Sequence, residues 1–363
     1  MLEKTEAHFR RKLKMVKLAC LLAIAIFLCS CVNEKNKPNP ISANPKEEIS
    51  QNNITETVVT NTAPEDQYII IGGYRTDYTV RDIKETIVFI IISENESADF
   101  SGIEQFQNTK SLFISLLDTR HVDFSPLRSL PNLQFVKIGG RGLTKIPDLS
   151  NIPSLKILEL RFGRLTNLNG IEKITSLERL SIAGNRERIT NTSSLRYLNN
   201  LKSFHFYNGY HNIDFSVFGN LPRLEEIWFG GDALTNLTGI GQAKSIKRLR
   251  LYSNTSKEVD ERSVYINIEE IGGITGLKEL YIDESITSVE FLANNVNLEE
   301  LVLIADQERD DYWNVLLPLD IKPLGNLTKL KHLIIRGFEL ENVDAVKKLP
   351  NLEDFDTALY ESE

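Results

Sequence analysis

The chain has 363 residues, 41% of them hydrophobic, and a formal net charge of −8. That length and apolar content suffice for a sizeable core, while the acidic balance excludes a general nucleic-acid binder, which needs a basic face to release counterions. Residues 1–31 read as a targeting segment: Arg10, Arg11, Lys12, Lys14 and Lys17 precede an apolar run over 18–28. The run is shorter than the ~20 residues of a membrane span and suits a signal-peptide core. Starts at Met1 and at Met15 both give a segment of this type. Residues 32–66, rich in Asn, Pro, Ser and Thr, hold too few apolar residues for a core and read as a tether. Next come a short strand over 67–71, a Gly72-Gly73 turn and helical turns over 79–86. Together these are expected to cap the N-terminal end of the remaining chain.

From residue 87 onward the chain is repetitive. Leu165, Leu168, Ile171, Ile174, Leu177 and Leu180 fall three apart, and the step then drops to two at Ile182. Steps of three suit tight turns or 3₁₀ segments, and steps of two suit a strand with one buried face. Taking the first leucine of L-x-x-L-x-L as anchor gives Ile87, Leu112, Leu133, Leu155, Leu177, Leu201, Leu224, Ile246, Leu277, Leu298, Leu330 and Leu352. The third and fifth residues after most anchors are apolar, as in Leu158/Leu160 and Leu249/Leu251, so they are expected to point inward. A unit of this size cannot bury its own apolar side and needs copies of itself on either side. Two spacings are long, which places insertions at about 255–264 and 307–317. Both should leave the stack at the same edge.

The pattern L-x-x-L-x-L-x-x-N with its preceding L-x-x-I-x-x-I, clearest at 165–185, resembles the leucine-rich repeat family. Within it, the likeness is to the short internalin-like bacterial form of roughly 22 residues per repeat. The resemblance covers about 87–357. It implies an α/β solenoid with parallel strands on the concave face and turns and short 3₁₀ segments on the convex face. The asparagine that the pattern implies at the bend is present as Asn95, Asn185 and Asn254; Arg120, Arg141, Gly163, Gly209 and others stand in its place elsewhere. Backbone groups at those bends must be satisfied differently. Leu28-Cys29-Ser30-Cys31 resembles the bacterial lipobox, which implies removal of 1–30, acylation (palmitate) of Cys31 and a membrane anchor. The implied layout is a signal peptide 1–30, a tether 31–66, a cap with the first repeat 67–110, and repeats 111–363 ending in an acidic edge strand.

No catalytic constellation stands out. His8, His121, His205, His211 and His332 are scattered, and Cys31 would be the one cysteine left after processing, which excludes an internal disulfide. The glycine runs at 139–142 and 230–231 fit strand ends rather than a phosphate loop. The acids at 306–311 lack the spacing of an EF-hand. No enzyme activity, cofactor or metal is expected. Binding residues are sought in the second, fourth and sixth positions after each anchor, which must face out of the concave sheet. From Leu201 onward these collect His205, Tyr207, Trp228, Arg248, Arg250, Tyr252 and Tyr281 on neighbouring strands, and Tyr312-Trp313 lies in the second insertion. Trp, Tyr and Arg dominate interface energetics. The same rings could instead pack on one another to stiffen the sheet, and both readings stay open. The resemblance implies two functions. One is a lipid-anchored envelope protein, an adhesin or interaction module that binds a protein or surface glycan. The other is a structural scaffold of the periplasm or outer membrane.

Overall fold

The computed structural model describes residues 68–71, 74–79, 87–92, 97–100, 102–116, 121–141, 143–161, 163–185, 187, 189, 191–207, 213–231, 236–253, 267–283, 286–305 and 316–357. All of them lie in one compact unit, Asn61–Glu363. An antiparallel hairpin comes first, β1 (Tyr68–Ile71) with β2 (Tyr74–Thr79). The main sheet then begins with β3 (Ile87–Ile92), β5 (Ser111–Leu116), β7 (Phe135–Gly139), β8 (Ile157–Arg161) and β9 (Arg179–Ala183). It continues with β10 (Ser203–Tyr207), β11 (Glu226–Gly231), β12 (Arg248–Ser253), β13 (Glu279–Asp283), β14 (Glu300–Ile304), β16 (His332–Arg336) and β18 (Asp354–Asp356). These twelve strands lie side by side in chain order, all parallel. Two small parallel pairs flank the sheet: β4 (Ser97–Asp99) with β6 (His121–Asp123), and β15 (Leu317–Asp320) with β17 (Phe338–Glu341).

Most connections between neighbouring strands of the main sheet hold a 3₁₀ segment, because steps of three bring apolar side chains to one side of such a segment. Examples are Ile171–Lys173, Ser193–Tyr197, Phe215–Asn220 and Lys322–Asn326. Leu165, Leu168, Ile171, Ile174, Leu177, Leu180 and Ile182 are all buried. They form one layer of a core that continues through every described repeat. Under β10 and β11 the layer is aromatic: Phe204 packs 5.4 Å from Phe218, and Phe215 packs 4.9 Å from Phe229. A single helical turn, Asp344–Lys347, replaces the 3₁₀ segment in the last repeat. Among the described residues no helix is long and apolar enough to cross a membrane.

The structure corrects three expectations. Thr79 belongs to strand β2 rather than to a helical turn, and residues 80–86 lie outside the described residues. The anchors Ile87 and Leu112 are misplaced. Leu112 pairs in register with Val136, three residues after the anchor Leu133, so the anchor of that repeat is Thr109; Ile87 aligns with Ser111, an outward position. Ser181, expected to be open on the concave face, keeps its outward register beside Glu159 and His205 but is covered there, at 4% exposure.

The bends are satisfied in two ways. Asn185 acts as the repeat pattern implies: its amide oxygen accepts from Leu165 N at 2.8 Å, and its amide nitrogen donates to the carbonyls of Leu165 and Glu187. Asn95 and Asn254 lie outside the described residues. Elsewhere backbone closes the bend, as where Gly140 N donates to Arg161 O at 3.0 Å. Gly140 has φ +137, and a Cβ there would lie 1.6 Å from the Leu116 carbonyl oxygen, so only glycine fits.

A second polar ladder escaped the sequence reading. The residue just before the anchor donates from its side chain to a carbonyl of the preceding repeat: Asn132 to Gln107, Ser154 to Leu133, Asn200 to Thr175, Asn297 to Thr275 and Asn351 to Thr328, at 2.7–3.1 Å. The residue just after the anchor alternates in charge. Glu178 binds Lys156 and Lys202, Glu225 binds Lys247, and Glu299 binds Lys278 and Lys331, at 2.6–3.0 Å.

Thr109 stands in a leucine position with 1% exposure, and its hydroxyl has no hydrogen-bond partner. A buried unpaired hydroxyl costs about 1–3 kcal/mol. Thr109→Val should therefore raise the free energy of urea unfolding by about 1 kcal/mol or more. An unchanged or lower value would show that the hydroxyl is satisfied.

Candidate binding face on the concave sheet

In-register parallel pairing sets same-numbered repeat positions side by side. The outward residues of β10 to β13 therefore form three rows. The middle row is His205, Trp228, Arg250 and Tyr281; the first is Ser203, Glu226, Arg248 and Glu279; the last is Tyr207, Gly230, Tyr252 and Asp283. The structure brings together seven residues singled out from the sequence: His205, Tyr207, Trp228, Arg248, Arg250, Tyr252 and Tyr281. Cys31, Tyr312 and Trp313 lie outside the described residues. The insertions expected at 255–264 and 307–317 lie outside the described residues but for 316 and 317; the strands that precede them, β12 and β14, are two apart in the sheet.

The middle row is a stack. His205 lies parallel to the Trp228 ring at 4.4 Å and 12°, and the Arg250 guanidinium sits 4.7 Å over the same ring. His205 and Arg250 come from strands on opposite sides of β11, so they cover opposite faces of the indole. Trp228 thus presents an edge to the outside, and ring-on-ring packing, left open from the sequence, is present here. The last row is held by absence. Gly230 lies between Tyr207 and Tyr252, where a Cβ would meet the Tyr207 ring at 3.1 Å and Tyr252 Cβ at 3.3 Å. Tyr207 leans into that space, 6.5 Å and edge-on to Trp228, and Tyr252 packs on Tyr281 at 4.7 Å.

Below these rings lies a buried polar cluster that the sequence did not mark. Ser203 Oγ donates to Glu226 Oε2 at 2.9 Å and lies 2.8 Å from His205 Nε2, so that nitrogen carries the proton and donates to the hydroxyl. Arg248 Nε closes on the other Glu226 oxygen at 3.5 Å. A nucleophilic serine directs its hydroxyl hydrogen to a histidine base; here the Ser203 hydroxyl hydrogen is directed to the Glu226 carboxylate. Burial raises the Glu226 pKa more than any other single influence. The Ser203 hydroxyl, Arg248, His205 and the Trp228 indole together outweigh burial and hold it below the usual range. The indole nitrogen is close enough to contribute, yet it is buried and makes no hydrogen bond of ordinary geometry. Burial lowers the His205 pKa against the pull of Glu226, and burial pushes the Tyr207 hydroxyl up to about 12. At neutral pH the patch therefore carries neutral His205 and Tyr207, ionised Glu226 and two guanidiniums.

Toward the C-terminal end the face opens into a pocket of about 310 Å³. Tyr252 and Tyr281 line one side, Leu280, Val302, Ile304 and Ile334 supply apolar surface, and Arg250, Glu279, Glu300 and Arg336 complete the lining. Val302, Ile304 and Ile334 escaped the sequence reading because an outward aliphatic residue looks like core. The signal that could have found them is register, since Val302 and Ile334 are neighbours in the row that holds Tyr281. Among the described residues no group of three or more His, Cys, Asp or Glu is placed to hold a metal ion.

One strand per repeat, leucine anchors stacked in register and 3₁₀ turns on the opposite side decide the architecture. This is a leucine-rich repeat solenoid. No protein-family model matches the chain. It is 27% identical over 220 residues, 53% of its length, to an FBD-associated F-box protein of Arabidopsis thaliana, covering 50% of that protein. The chain spans about half the length of the curated relatives it matches. An internalin of Listeria monocytogenes is 19% identical with TM-score 0.48, the match covering 78% of this chain and 84% of that one. The TLR13 chain of a TLR13–ssRNA13 complex is 17% identical with TM-score 0.51, the match covering 75% of this chain and 48% of that one. At these identities the likeness is one of fold.

The His205 shift has a pH consequence. Its folded-state pKa lies below the ordinary value of 6.5, so below pH 6.5 the unfolded chain binds more protons than the folded one. The contribution is fully present above 6.5 and is lost as pH falls through the folded pKa, with a slope of at most about 1.4 kcal/mol per pH unit. Urea unfolding followed from pH 7.5 to 5 should show that decline. His205→Gln, whose amide can still donate to Ser203, should show a flatter one. Equal slopes would mean that His205 is not held neutral by the fold.

Proposed function

We propose that the chain is a lipid-anchored protein of a bacterial envelope that recognises a protein partner through the concave face of β10 to β14. The observation that carries this reading is the run of Trp228, Arg250, Tyr252 and Tyr281 across adjacent strands, on a sheet stiffened from beneath by Phe204, Phe206 and Phe229. Rigid aromatic and guanidinium side chains on a fixed frame lose little entropy on binding and are the usual anchors of interfaces. Leucine-rich repeat folds serve as interaction modules, which agrees with this use of the sheet. A protein is favoured over a glycan for a geometric reason. A sugar ring stacks on an open aromatic face, and both faces of Trp228 are already covered by His205 and Arg250. The anchor is argued from the sequence alone, from the basic and apolar segment ending at Leu28-Cys29-Ser30-Cys31. Two or three acyl chains at ~0.8 kcal/mol per buried methylene make such attachment effectively permanent.

Two outcomes are expected. Full-length protein and variants used side by side as bait should retain a common partner with wild type and with Lys137→Ala, which lies on the same face nearer the N-terminus. Tyr252→Ala should weaken that partner by about 2 kcal/mol or more while shifting the thermal midpoint little. A partner held equally by all three baits would place the interface elsewhere. Trp228→Ala is a poorer probe, since it also uncovers His205 and Arg250 and should lower stability. For the anchor, Cys31→Ala should abolish incorporation of labelled palmitate and leave the precursor unprocessed; undiminished labelling would rule out acylation at that cysteine.

A further inference from the structure

The pocket beside Tyr281 is one positive charge short. Its floor is aliphatic, Val302 and Ile334 lying next to each other in register. Its wall is the Tyr252–Tyr281 pair, 4.7 Å apart and tilted by 36°. At its rim Glu279 and Glu300 are direct neighbours across β13 and β14, and like charges at such positions repel. Glu279 has a distant partner, Arg250 at 3.8 Å, while Glu300 forms no ion pair with any described residue. The pocket's two cations do not supply what is missing. Arg336 is bound to Asp356, and Arg250 is shared between the Trp228 ring and Glu279.

We propose that this pocket receives the side chain of a lysine or arginine presented by a protein partner. The stem of either residue is a run of methylenes that covers an aliphatic floor while its charged head stays at the rim. Tyrosine rings attract a cation within about 6 Å of their centroids, and the head would sit between those rings and the adjoining Glu279 and Glu300 carboxylates. A neutral apolar occupant would fill the floor but leave the two carboxylates repelling each other and less well solvated. An anionic occupant would add a third negative group beside them and would have to draw Arg250 from its ring or Arg336 from Asp356. A basic side chain is the occupant that satisfies floor, wall and rim together.

The inference rests on the concave face being a protein-binding surface, and its test needs no identified partner. Full-length protein labelled at isoleucine and valine methyl groups would be titrated separately with N-acetyl-arginine amide, N-acetyl-lysine amide, N-acetyl-leucine amide and N-acetyl-glutamate amide. The methyl signals of Val302, Ile304 and Ile334 would be followed by NMR. Saturable shifts with the arginine or lysine amide are expected, weakened by added salt and by about fivefold in Glu300→Gln, whose other methyl signals should stay in place. Shifts of equal affinity with the leucine amide, stronger shifts with the glutamate amide, cationic shifts indifferent to Glu300→Gln, or no shifts at all would each overturn the proposal. A failed titration overturns the basic-side-chain pocket alone, whereas a partner still held by Tyr252→Ala overturns the binding face itself.

Discussion

Every repeat depends on its neighbours for a buried core. Leu180 is fully buried because Leu158 and Phe204 flank it in register, and each of those is covered in turn by the next strand. The anchors do the same one layer deeper. Burying a leucine side chain is worth about 1.5–3 kcal/mol, and none of that is available to an isolated unit whose apolar side faces water. The consequence is geometric as well as energetic. Apolar stacking fixes the register, and a fixed register turns each repeat position into a row that crosses the sheet. Rows, rather than individual residues, are what the outside of this protein is made of.

The polar rows show how register is protected against slippage. Exposed ion pairs contribute little each, about 0–1 kcal/mol, so the alternation of Lys156, Glu178, Lys202, Glu225 and Lys247 is a weak source of stability. It discriminates well, however. Sliding one strand past its neighbour by a whole repeat keeps leucine on leucine but sets lysine on lysine. Glu299 has a lysine on each side, and hydrogen bonds from Lys278 and then Lys331 draw its pKa down to about 2. The ladder of Asn132, Asn200, Asn297 and Asn351 works along the same edge by satisfying carbonyls that the turn leaves open.

The inward rows were legible from Leu133 onward because apolar and polar residues alternate there, and alternation fixes which face is buried. Where it fails, the reading fails. Strand β3 is Ile-Val-Phe-Ile-Ile-Ile, apolar at every position, so nothing in it sets the phase; and Thr109 occupies the place of a leucine, which drew the anchor to Leu112. The outward aromatics of β10 to β13 were also legible, since they come from the same alternation. That neither face of Trp228 is free was not, because that depends on His205 and Arg250, 23 and 22 residues away in sequence. Ser203 and Glu226 carry no motif, and their role appears only when register sets them 2.9 Å apart. Gly230 reads as a turn glycine until Tyr207 is seen leaning across it.

From Lys156 onward the charge alternation breaks at one place among the described residues, and the break falls within the proposed binding face. Lys247 and Lys278 are successive members of the ladder, joined by a backbone hydrogen bond of 2.8 Å, yet both are positive. One row further in, Arg248 lies beside Glu279, so an acid of β13 faces the cations of β12 across this seam. The concave surface is thereby divided. Among the outward residues, Arg248 and Arg250 lie on β12, and Glu279, Asp283 and Glu300 lie on β13 and β14, with Tyr252 and Tyr281 on the line between them. On the proposed binding face such an arrangement would orient a partner as well as hold it, because reversing the partner along the sheet would bring like charges together. A uniformly alternating ladder could not do this: its field cancels over two strands, and only where the alternation is interrupted does the sheet acquire a direction that another protein can read.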